Sequence, residues 1–182
     1  MATPRFVETG PGLHLSLSGR EAALFVLSGS LSGHPAGDLA PGDAVIGPPA
    51  GLSGLAASAP ATLFIEEREE AGVGGERRIG RGDLSGTGIP GITGIRVLHR
   101  SAGGTLLRFG PPPGARWLVT GLRALAVFTG RLLLFEGTEP RSVSAGEWWV
   151  VPEPARTLPL QAGNDSAVAV AFGAPDIRVA LG

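Results

Sequence analysis

Cysteine is absent from the 182 residues, which excludes disulfides, thiolate metal ligands and a cysteine nucleophile. Lysine and tyrosine are absent as well, so all 15 basic residues are arginine, a bias of the kind a GC-rich coding sequence produces. No run approaches the roughly 18 consecutive apolar residues of a membrane-spanning helix. The opening MATPRFVETG lacks the basic-then-apolar order of a secretory leader, so a cytoplasmic location is expected. With a net charge of −1 and no dense basic run, neither nucleic acid nor membrane is expected as a partner. Helical periodicity is missing too: no window of a dozen residues carries an i, i+3, i+4, i+7 apolar stripe free of glycine and proline.

What is present is turn chemistry. Thirty glycines and sixteen prolines punctuate short apolar runs in a chain that is 43% apolar, the pattern of many short strands joined by tight turns. Leu13–Leu17 alternates as a half-buried strand does, and Ala22–Leu27 is a continuous apolar strand ending at Gly29. Further strands are predicted at 44–46, 61–65, 95–99, 105–109, 117–120, 124–128, 131–135, 148–151, 157–160 and 167–172. The tail alternates at Ile177, Val179 and Leu181, and Arg96, Arg100 and Arg108 fall on or near the strands that follow residue 94. Residues 67–94 are rich in glycine and charge. They read as an exposed linker or excursion with at most one short strand. Its Arg81-Gly82-Asp83 is not read as an adhesion motif without an extracellular signal, and Glu66, Glu67, Glu69 and Glu70 read as a solvated run.

Two stretches share one layout. Val26–Gly51 and Val127–Pro154 each run from a strand through a hairpin excursion and a Gly-acid turn to a second strand and a proline-led turn. Val26-Leu27-Ser28-Gly29 with Gly42-Asp43, and Val127-Phe128-Thr129-Gly130 with Gly146-Glu147, carry the repeat. In this pattern the chain resembles the cupins, antiparallel β-barrels of jelly-roll type. The resemblance covers most of residues 13–66 and 95–173. It implies an all-β fold of two cupin-like barrels, a bicupin, with domains at 1–66 and 95–182 joined by 67–94.

Cupin enzymes hold a divalent metal through a His-x-His pair, a Glu and a third His. By the resemblance, the matching positions are Ser16, Ser18, Ala22 and Ser53 or Gly54 in the first unit. In the second they are Trp117, Val119, Arg123 and Thr157. None is an ordinary metal ligand, and a guanidinium in place of a carboxylate opposes a divalent ion. No metal and no cofactor is therefore expected; were a metal bound, His14, His34 and His99 are the available imidazoles.

The remaining candidates are arginines. Arg123, Trp117, Thr157 and Arg156 fall near one barrel mouth and would form an anion pocket with an indole wall and a hydroxyl contact. The competing account pairs Arg123 internally with Glu136, Glu139 or Glu147. Of Trp148 and Trp149, adjacent on one strand, one faces inward and the other outward, where an indole suits a homodimer contact. Three functions follow. The first is a metal-free protein binding a small anionic or sugar-like ligand as a sensor or accessory module. The second is a bicupin isomerase, lyase or dioxygenase with unusual ligands. The third is an interaction protein with filled barrels.

Overall fold

The computed structural model describes residues 3–69, 76–80, 87–101, 104–152 and 156–182. The Arg81-Gly82-Asp83 tripeptide and Glu70 lie outside the described residues. The described chain is nearly all strand, and its single four-residue helix, α1 (Pro49–Leu52), follows the Pro48-Pro49 break. No described helix is long and apolar enough to cross a membrane.

The chain divides into two compact units, Met1–Leu84 and Ser85–Gly182. In the first, β1 (Thr3–Thr9), β2 (Glu21–Ser28), β4 (Ala44–Gly47), β6 (Ala61–Arg68) and β7 (Arg77–Ile79) form a sheet in the order β1-β6-β2-β4-β7. The short strands β3 (Leu31–Ser32) and β5 (Ala56–Ala57) pair separately. The second unit contains β8 (Thr87–Gly88), β9 (Ile95–Ser101), β10 (Gly104–Phe109) and the long β11 (Arg116–Thr129). It continues with β12 (Arg131–Phe135), β13 (Pro140–Ser144), β14 (Trp148–Val150), β15 (Thr157–Ala162) and β16 (Val168–Leu181). Its sheet runs β13-β12-β15-β11-β16-β10-β9-β8, with β14 added to β11. Both strand orders are open, so the described pairings close no barrel.

The Gly-acid turns of the two units match bond for bond. In the first unit Gly42 N donates to Val26 O at 2.8 Å, Val26 N to Asp43 O at 3.0 Å and Asp43 N to Ala40 O at 3.0 Å. In the second, Gly146 N donates to Val127 O at 2.8 Å, Val127 N to Glu147 O at 3.0 Å and Glu147 N to Ser144 O at 2.9 Å. The acid closes its own turn in each copy: Asp43 Oδ2 accepts from Ala40 N, and Glu147 Oε2 from Ser144 N. Gly29 and Gly130 both hold positive φ, 73° and 70°. A Cβ on either would strike the backbone of the paired strand, at Pro60 O in one unit and Ser166 O in the other, each at 2.5 Å. Only glycine meets both conditions without strain.

Each unit packs its own core. Ala22, Leu24 and Val26 of β2 face Leu63 and Ile65 of β6, as period-two alternation requires. In the second unit Trp117, Val119, Leu122, Leu125 and Val127 of β11 pack with Trp149, Leu158 and Leu160. Trp149 is thus the inward indole and Trp148 stands on the opposite face.

Several expectations change. Leu13–Leu17 is not a strand: only a single bridge, His14 to Ala56, forms there. Leu15 is buried and Leu13 is exposed, so the alternation reflects one leucine tucked under the first unit rather than a ladder. Residues 67–94 supply two short strands: β7 pairs with β4, and β8 with β9. β1 and β13 carry no strong apolar alternation and form because an edge was open to them. Phe6 of β1 meets Phe64 edge-on at 5.0 Å.

Glu66 of the acidic run is not solvated, whereas Glu69 is exposed. Arg68 bridges Glu21 Oε1 at 2.7 Å and Glu66 Oε2 at 2.8 Å, with all three residues buried. Glu67 points the other way. Burial alone would raise its pKa, yet hydrogen bonds from the Ser18 amide and hydroxyl and the charge of Arg5 hold it below 4.5.

Candidate functional site

β11 decides where the expected pocket residues go. Gly121, at φ 85°, bends the strand, and the β11–β16 register shifts between Thr120 and Leu122 and again between Leu122 and Ala124. Arg123 falls in the second irregularity. It is half-buried, and its carbonyl accepts from Val151 N at 2.8 Å. Side chains separated by these two bulges no longer follow simple alternation, so Trp117 and Arg123 cannot be assigned one face by counting.

Trp117 is 1% exposed, and its ring meets Phe109 edge-on at 6.0 Å. It pairs in register with Leu160, another core residue. Thr157 is exposed and pairs with Thr120; their hydroxyl oxygens are 2.7 Å apart. Thr157 lies an odd number of positions before Leu160 on one uninterrupted register, so Thr157 and Trp117 stand on opposite faces of the sheet. Arg156 is exposed at the entry to β15. The structure does not bring Trp117 and Thr157 into one cavity.

The imidazoles are equally dispersed. His14 is exposed, His34 is buried in the first unit and His99 is half-buried on β9 in the second. His34 Nδ1 accepts from Ala36 N at 3.1 Å, and its Nε2 lies 3.0 Å from Glu76 Oε1. Among the described residues, no group of three or more His, Asp or Glu side chains could hold a metal ion. Of the residues that the sequence resemblance matches to the metal ligands of cupins, Ala22, Trp117 and Val119 are buried apolar side chains, and Ser18 donates to Glu67. That donor set does not fit a divalent metal.

A different cleft has binding chemistry. About 570 Å3 of space is lined by Thr87, Ile89, Val97, Arg100, Ile177 and Arg178, among others, all in the second unit. No carboxylate is among the described lining residues. The sequence had shown Arg100 near a strand and Arg178 inside the alternating tail, but nothing in it placed the two on one cleft.

No family model matches the chain, and no curated protein matches it by sequence. Solved structures do. A Cupin 2 conserved barrel domain protein from Leptotrichia buccalis covers 100% of this chain and 84% of its own at 10% identity, with a TM-score of 0.67. The fold is of the cupin type. The protein Ylba from E. coli matches 96% of this chain and 77% of its own at 13% identity and a TM-score of 0.63. The salicylate 1,2-dioxygenase of Pseudoaminobacter salicylatoxidans, solved with gentisate, matches 99% of this chain and 72% of its own, at 11% identity and a TM-score of 0.62. At such identities the cupin likeness carries architecture and leaves chemistry to the side chains.

Proposed function

We propose that this chain is a two-barrel cupin-type protein that binds a small anionic or sugar-like ligand without a metal, through side chains of its C-terminal unit. Its role would be that of a sensor or accessory module in the cytoplasm. The observation that carries this reading is the burial of Trp117 and Val119 in the core of the second unit. By the sequence resemblance they match the positions of the histidine pair of cupin enzymes, and an indole and an isopropyl group offer a cation nothing to bind. Recognition then falls to charged side chains at the surface of the unit, where arginine is the only cationic side chain besides His99.

Elemental analysis of protein purified without a metal-affinity tag tests the metal-free part, and a thermal-shift screen of carboxylates, phosphates and sugars tests the binding part. Less than a tenth of an equivalent of any transition metal is expected, with a raised melting temperature for at least one anion, since a ligand that binds only the folded state stabilises it. A stoichiometric transition metal would overturn the reading and direct attention to His14, His34 and His99.

A second reading, an interaction protein with filled interiors, is favoured by apolar surface on the same unit. Val150 is 51% exposed and Leu181 65%, and Leu118, Phe135 and Pro159 line a groove of about 360 Å3. A homodimer would cover such a surface. Sedimentation equilibrium distinguishes it: a monomer at micromolar concentration would remove that reading.

A further inference from the structure

The cleft beside the end of β16 is built by an interruption in that strand. On β11 the register advances from Thr120 to Leu122 while on β16 it moves from Arg178 to Gly173, so four residues of β16 loop out between the two pairs. Ile177 folds back from this loop onto Gly173, where any Cβ would collide with its side chain, and is buried in the core. Thr105 Oγ1 donates to Pro175 O at 3.2 Å and fixes the loop against β10. Thr105 pairs in register with Arg100, and Arg178 leaves the loop directly after Ile177. Two guanidinium-bearing residues from strands far apart in sequence are thereby set along one cleft.

Chemistry selects the occupant. Among the described residues, the side chain of neither Arg100 nor Arg178 has a hydrogen-bond or ion-pair partner. Other arginines of this chain, such as Arg68 and Arg78, form ion pairs with carboxylates. The same lining carries apolar side chains: Ile89, Val97, Ile177 and Val179. The cleft's volume of about 570 Å3 lies within the range of small-molecule sites. A guanidinium fork suits a carboxylate or phosphate, and the aliphatic lining suits a body that water does not hold.

We propose that this cleft binds an organic anion with a carboxylate or phosphate head and an apolar body, the head held by Arg100 and Arg178. The inference rests on the ligand-binding reading above and gives that ligand a place and a class. Binding here needs no opening of the packed core around Trp117.

Calorimetric titration of the full chain tests it with three probe series: straight-chain carboxylates of four to ten carbons, the corresponding alkyl phosphates, and the matching neutral amides, with inorganic phosphate alongside. Affinity is expected to rise with chain length for an anionic head and to fall at least tenfold for the amides. The carboxylate and phosphate arms identify which head the site takes. Arg100→Ala and Arg178→Ala should each weaken binding at least fivefold without moving the melting temperature of the unliganded protein, because both side chains are exposed. Thr87→Glu, also at an exposed position, should abolish binding by placing a carboxylate in the cleft with both arginines intact.

Undiminished binding in the Arg100/Arg178 double variant would overturn this site and leave the ligand-binding reading standing. Inorganic phosphate binding as tightly as the longest alkyl phosphate would overturn the apolar-body requirement. Absence of binding by any anion, combined with an empty thermal-shift screen of sugars, would overturn both the site and the reading on which it rests.

Discussion

Arg68 and Glu66, two residues apart on β6, meet at 2.8 Å with both side chains almost wholly buried, and Glu21 of β2 takes the other guanidinium nitrogen at 2.7 Å. Burial of one cation with two carboxylates is tolerable only while each charge has its partner, because the desolvation cost is shared among them. Arg68→Ala removes from two buried carboxylates the cation that bridges them. A loss of about 3–5 kcal/mol is expected in urea denaturation. Adding Glu21→Gln and Glu66→Gln to that variant should recover part of the loss. No recovery would show that the stability lies in the packing of the Arg68 chain and not in its charge.

Glu67 sets an acid limit on the first unit. Its folded pKa is below 4.5, so its contribution to stability is complete above that value and is lost as pH falls through the lower folded pKa. Glu67→Gln should therefore flatten the pH dependence of stability between about pH 5 and pH 3. The difference between wild type and variant should vanish at the acid end. A difference that persists unchanged to pH 2.5 would mean the carboxylate charge is not what Ser18 and Arg5 engage.

Gly29 and Gly130 make equivalent turns in the two units. A side chain there forces a left-handed residue, at a cost of about 1–3 kcal/mol, and adds a clash with the neighbouring backbone. Gly29→Ala and Gly130→Ala should each destabilise the protein by at least that amount. Gly12→Ala is the control: it shares a positive φ of 77° but has open space around its Cβ position, so only the smaller backbone term should appear. Equal losses at all three would remove the close approach from the explanation.

Trp117 and Thr157 should respond in opposite ways to truncation. Trp117→Ala opens a cavity beside Phe109 and should cost about 3–5 kcal/mol, read by denaturation. Thr157→Ala removes one partner of an exposed hydroxyl pair and should stay within about 0.5 kcal/mol. A Trp117 variant that kept its stability would contradict the packed interior on which the metal-free reading depends.

Sequence alone determined the class of structure. Glycine and proline spacing pointed to a many-stranded, helix-poor chain, and the Gly-acid turns at Gly42-Asp43 and Gly146-Glu147 marked one turn layout used twice. Both signals are local: a turn needs its glycine whatever surrounds it. The same locality explains the failures. Glu66 and Arg68 look solvated in a charged run, because only a strand from forty-five residues earlier reveals that Glu21 shares their salt bridge. β1 was invisible, and β7 no more than one unplaced short strand, because a strand added to an open edge is stabilised by backbone bonds that any sequence can make. The site was least legible of all. Counting along β11 assumed an unbroken alternation, and the bulges around Gly121 and Arg123 remove that assumption. Which residues share a cleft, as Arg100 and Arg178 do, is fixed by strand register and by a loop in β16, and these are decided by tertiary pairing.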